Sequence, residues 1–374
     1  MAQSELNQLP EPEREPGSAD KSNTTRNAMQ RRYDIDWLRV IAMWLLIIYH
    51  IGVAFQPFGG FIGFITNEKS LDYTWPAFQI LNIWRIPLLF FISGMGVFFA
   101  MRRRNWYQLI GERSMRILVP LIYGSLAIVP LHFYLLQSYN GMPLQYFPNP
   151  GHLWFLINIY VYVLVLLPVF LIVKKYPENF ILNGLRNRFG AMATVLAIPL
   201  ATALTSLATN PASFAGYAMT SHGFILGLVC FFLGYLMIAL GDSFQSALNQ
   251  LKYPLLGVSI ALYLVRLLHF GFEQTPNFLN GLECGTWVLT ILAFGRQFLN
   301  RPGKLLSYLS PAVYPTYIFH MFAQYLGSMI IFKLEMAAEL KFILLTVFTF
   351  VVAYSLYELL RRIKHLRPLI GLKL

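Results

Sequence analysis

Uncharged apolar runs about 20 residues long recur from Trp37 almost to the end of the chain, the length of helix that a bilayer core about 30 Å thick requires. No other feature restricts the fold as much. In hydrocarbon every backbone N–H and C=O must be satisfied within the structure, so only helices or a closed barrel can span. Barrel strands would be about ten residues long and strictly alternating, whereas these runs are continuous. Composition agrees: 56% of residues are apolar and 12% charged, against about 25% charged in a soluble domain. The chain therefore reads as an all-α polytopic membrane protein. Ten helices are predicted, near 37–56, 76–100, 115–137, 152–173, 189–208, 222–240, 252–270, 281–299, 307–332 and 341–360.

Residues 1–32 are polar and rich in Pro, Ser, Asn, Glu and Arg, the composition of a disordered tail. No apolar stretch precedes Trp37, so the first helix is expected to stay attached and serve as the targeting signal. The membrane domain would run over 33–362, and a short basic tail over 363–374.

Lys and Arg set the orientation. Groups before the first helix, between the second and third, the fourth and fifth, and the eighth and ninth, and after the tenth, together with Lys252 bordering a further loop, place 24 of the 29 cations on one side. Both termini are then cytoplasmic. The net charge of +12 is topology plus an anion-attracting cytoplasmic face, not a nucleic-acid surface. Cys230 and Cys284 both lie inside apolar runs and read as packing residues, and no metal-ligand spacing is visible.

Ionisable groups inside spans are costly, so each is a functional candidate. In RVIAMWLLIIYH, residues 39–50, Arg39 and His50 are eleven residues apart. That is three turns, so both point to one helix face, about 16 Å apart along the axis. Asp36 is placed to pair with Arg39. It lies about 21 Å from His50, too far to orient it. Arg39 also fits an interfacial anchor, and His50 a helix–helix hydrogen bond.

Other segments add candidates. RIPLLFFISGMG carries Arg85 near the outer surface, the helix-bending Pro87, and Ser93, Gly94 and Gly96, which suit close approach of a ligand or simply of another helix. The following loop gathers Arg102, Arg103, Arg104, Arg113 and Arg116. Arginine forks suit phosphates, so an acyl-CoA would fit there, as would lipid headgroups. His152 and Trp154 open the fourth helix at the outer interface, where Trp is a common anchor. Tyr314, Tyr317 and His320 are spaced by three and share a face of the ninth helix. Glu358 sits near the cytoplasmic end of the tenth helix, where Arg361 or Arg362 would pair with it. Arg266, His269, Glu273 and Glu283 cluster at the outer ends of the seventh and eighth helices, as ion pairs or as an acceptor site.

In series, these segments resemble the acyltransferase 3 superfamily of membrane O-acyltransferases. Asp36, Arg39 and His50 fit its first-helix pattern, Phe90 to Met95 its second-helix signature, and Arg113 and Arg116 before Pro120 its basic segment. HLWFL, AVYPTYIFH and YELLRRIKHLRP also look like family segments, and the resemblance covers about residues 33–370. The branch containing glucan biosynthesis protein C is the most similar in look. It implies acetyl or succinyl transfer to an extracytoplasmic glycan in the bacterial inner membrane. Some relatives carry an esterase-like domain after the last helix, and none is expected here.

The resemblance implies acyl-CoA as a donor substrate, with no permanently bound cofactor. Its phosphates would lie among Arg39 and the loop arginines, and its thioester would reach toward His50. His50 would act as general base or take the acyl group itself. Tyr317 or His320 would stabilise the oxyanion. A transporter of a glycan or organic anion, or a non-catalytic membrane scaffold, are the rival classes.

Overall fold

A computed structural model describes residues 31–272 and 274–373. Arg14, Lys21, Arg26 and Glu273, and nearly all of the expected tail, lie outside the described residues. The described chain is helical and contains no strand. The long helices are α1 (Tyr33–Val53), α2 (Trp75–Arg102), α3 (Trp106–Tyr139), α4 (Trp154–Lys175), α5 (Arg188–Thr209), α6 (Ser221–Ala239), α7 (Asp242–Leu268), α8 (Asn277–Leu299), α9 (Lys304–Ile331) and α10 (Ala338–Arg362).

Among the described residues, nine of these are long and apolar enough to cross a membrane. The exception is α9, which buries Thr316, His320, Gln324 and Ser328 inside the bundle. Its polar residues face protein rather than lipid, so its average apolarity is a poor guide to its position. The protein is a multi-pass membrane protein.

Helix limits follow local chemistry. Asn105 and Gln108 form a capping box that starts α3 at Trp106, nine residues earlier than the apolar run suggests. Within α3, Ser114–Leu118 and Gly124–Ile128 are wide π turns. Pro120 and Pro130 follow them. A proline clashes with the carbonyl four residues back, and a widened turn relieves that clash. The seventh helix begins at Asp242, not near 252. Lys252 is therefore inside it, not at a loop, and its Nζ donates to Asn249 and Gln297 at 2.9 Å each.

Small residues let the helices meet closely. A Cβ on Gly94 would lie 1.9 Å from the Phe231 carbonyl oxygen, and one on Gly234 would lie 2.1 Å from that of Phe91. The FFISGM stretch is thus the seam between α2 and α6. Thr202 of α5 donates to the Gly281 carbonyl of α8 at 2.7 Å, locking a second seam. One helix of each seam, α2 and α8, packs with α9 against α1, which carries Arg39 and His50.

Candidate active site

Arg39 lies in the second turn of α1, amid charge. Asp36 pairs with Arg31 at 2.8 Å and with Arg39 at 3.4 Å. Asp34, fully buried, takes Arg32 at 2.6 Å. From α3, Glu112 receives Arg104 at 3.1 Å and Arg116 at 3.4 Å. Arg113 reaches the Gly96 carbonyl of α2 at 3.4 Å, and its Nε has no partner. Arg102 and Arg103 are exposed. Neither Asp34 nor Glu112 stands out in the sequence as a site candidate. Glu112 is a single carboxylate beside Arg104, Arg113 and Arg116, so positive charge remains in excess.

Three turns along α1, the surroundings change. His50 Nδ1 lies 3.0 Å from His320 Nε2 of α9. His320 Nδ1 lies 2.7 Å from the Tyr317 carbonyl oxygen. His152, just before α4, directs Nε2 to the carbonyls of Tyr317 and Ile318 at 3.1 and 3.2 Å. The Tyr317 hydroxyl in turn donates to the His152 carbonyl. Gln324 donates to the His50 carbonyl at 2.9 Å, which pins the end of α1 to α9. His132 of α3 completes the group, its ring centroid 5.8 Å from that of His152. Four of the seven histidines of the chain thus converge. His132 is not among the residues expected at the site, because it sits in an apolar run with no motif around it.

The chain after α1 folds back over this cluster. Asn67 and Leu71 donate their backbone N–H to the Ala54 and Phe55 carbonyls at 2.9 and 2.8 Å. Tyr325 donates to the Gly63 carbonyl at 2.5 Å, and the Phe64 ring centroid lies 5.9 Å from that of His50. His50 stays partly exposed, and its Nε2 makes no hydrogen bond among the described residues.

Several candidates stand elsewhere than expected. Arg85 is not near a surface: it is 1% exposed, packed over the Tyr49 ring at 4.1 Å, with Nε and Nη1 unpartnered. The Ser93 hydroxyl is committed to the Leu89 carbonyl of its own helix at 2.8 Å. Trp154 is buried against Phe90 instead of anchoring at an interface. Tyr314 shares a sequence spacing with Tyr317 and His320 but packs beside Gly371, away from the histidines. Asp36 belongs to the arginine end and makes no contact with His50. Glu358 pairs with Arg361 at 3.0 Å and Arg362 at 4.0 Å. Arg266 and Glu283 form a buried ion pair at 2.7 Å, while His269 is exposed. Among the described residues no group of acidic, histidine or cysteine side chains is arranged to hold a metal.

The fold and site together define a multi-pass membrane protein with a partly buried histidine cluster at one end of a helix and an arginine cluster at the other. The acyltransferase 3 family, described as an acyltransferase domain, matches residues 32–358, and the chain belongs to that family. It is an acyltransferase that moves groups other than amino-acyl groups. No curated protein and no solved structure matches the chain.

Proposed function

We propose that the protein takes an acyl group, acetyl or succinyl, from a cytoplasmic acyl-CoA and places it on a hydroxyl of an extracytoplasmic carbohydrate. The distribution of Lys and Arg favours a ten-span bundle with both termini cytoplasmic, and the resemblance to the acyltransferase 3 superfamily favours a bacterial inner membrane. The similarity in look to the branch of glucan biosynthesis protein C favours a glucan acceptor.

The observation that carries this reading is the unpartnered Nε2 of His50, held by α9 about 16 Å along one helix from Arg39. The donor phosphates bind among Arg39, Arg102, Arg103, Arg104, Arg113 and Arg116, with forks suited to their oxygens. The pantetheine arm is an extended chain of the length that separates the two ends. His50 removes the proton from the acceptor hydroxyl as its oxygen attacks the thioester carbonyl carbon. The carbon–sulfur bond breaks, and the thiolate takes the proton back from His50. Arg85, buried beside Tyr49 with two free nitrogens, supplies positive charge for the oxyanion.

The test is His50→Ala in purified protein, followed by release of free CoA thiol from acetyl-CoA and succinyl-CoA with glucan oligosaccharides as acceptor. A fall of about 100-fold or more is expected for loss of a general base. Transfer at the wild-type rate would remove His50 from the mechanism.

A further inference from the structure

The hydrogen bonds around His320 determine where its proton sits. The Tyr317 carbonyl oxygen only accepts, so the 2.7 Å contact with His320 Nδ1 requires the proton on Nδ1. A neutral imidazole carries one N–H, so Nε2 of His320 presents a lone pair. That lone pair faces His50 Nδ1 at 3.0 Å, which places the proton of His50 on Nδ1 and leaves Nε2 as its basic atom.

The ring geometry supports a true hydrogen bond. The two imidazoles are inclined by only 9°, and their centroids are 5.2 Å apart. That separation matches the nitrogen–nitrogen contact plus two ring radii, so the rings lie edge to edge in nearly one plane. A face-to-face stack with nitrogens 3.0 Å apart would bring the centroids much closer. In-plane approach along the lone pair is the favourable geometry. His320 is fully buried, and both its nitrogens are committed.

We infer that His320 is a positioning residue: through its own Nδ1–H to the Tyr317 carbonyl, it holds His50 in the Nδ1–H tautomer with Nε2 aimed at the reacting hydroxyl. This rests on the reading of His50 as the base. It also withdraws His320 as an oxyanion donor, because the nitrogen nearest the reaction carries no proton. When His50 gains a proton, its Nδ1–H bond to His320 becomes charge-assisted and strengthens. A carboxylate would hold the same tautomer, but an unpaired carboxylate inside a membrane bundle is costly. A second imidazole does the same work without a resident charge.

Two variants separate this role from mere packing. The carboxamide of Gln reaches the place of the histidine Nε2 and offers an acceptor there, while that of Asn is too short. The full chain is prepared with 15N-labelled histidine in lipid nanodiscs, and the His50 resonances are identified by their loss in His50→Ala. In the wild type, His50 should show a proton-bearing Nδ1 and a bare Nε2. His320→Gln should keep that pattern, and His320→Asn should lose it. With acetyl-CoA and glucan oligosaccharides, kcat should fall by less than tenfold in His320→Gln and about 100-fold in His320→Asn, with KM for acetyl-CoA unchanged. A wild-type His50 with its proton on Nε2 would overturn the inference, and that measurement needs no variant. So would a His50 pattern that His320→Asn leaves intact. An active His50→Ala enzyme with the expected tautomer would instead defeat the reading of His50 as base and leave the tautomer assignment standing.

Discussion

Arg266 and Arg85 are both buried arginines, 4% and 1% exposed, yet their surroundings are opposite. Arg266 gives Nε and Nη2 to the two carboxylate oxygens of Glu283 at 2.7 and 3.0 Å, and Nη2 also to the Gln79 carbonyl at 3.0 Å. Arg85 has the face of Tyr49 and no acceptor for Nε or Nη1. A buried charge that is fully paired is explained by the fold that pairs it. One left without a counter-charge costs several kcal/mol, of which the Tyr49 ring face offsets only about 1 kcal/mol. The first kind of arginine holds helices together, and the second is the kind the proposed function assigns to the oxyanion.

Breaking the satisfied pair should have the largest effect. Glu283→Gln leaves Arg266 buried without a counter-charge, a loss of about 3–5 kcal/mol. Thermal unfolding in detergent should shift down sharply, while the molecules that remain folded keep their kcat. A midpoint equal to wild type would show that the pair is not structural.

Arg85→Gln should do the reverse. Acyl transfer should fall about 100-fold, as for loss of an oxyanion donor, and thermal stability should hold or rise because an uncompensated charge is gone. A drop in melting temperature with normal kinetics would make Arg85 a second structural arginine and end the contrast. Tyr49→Leu sharpens the same point with a smaller effect. Removing the ring face costs about 1 kcal/mol of cation–π attraction and should slow transfer roughly fivefold.

The helices were legible because each long apolar run must be satisfied by its own backbone bonds. Limits were less so. The early start of α3 depends on a capping box in a polar loop, and that of α7 on a polar first stretch packed against the bundle. His50 and Arg39 were legible as intramembrane ionisable groups at a helical spacing. Arg85 was legible as a candidate but not as a buried one, since depth in a span says nothing about which neighbours surround it. His132 could be found only by folding α3 against α9.

By itself, the sequence determined a helical membrane protein, the arginine-rich end, and the Arg39–His50 face of α1. Those properties depend on residue type and on spacing within one segment, where 3.6 residues per turn leaves no freedom. Only the tertiary structure decided which group faces His50, that Glu283 and not a solvent molecule meets Arg266, and that Arg85 goes unpaired. Each joins residues far apart in the chain: His320 stands 270 positions from His50. A hydrogen bond between such partners requires helices packed to within ångströms, and helix packing is settled by close-approaching small residues such as Gly94 and Gly234, not by the residues that bond.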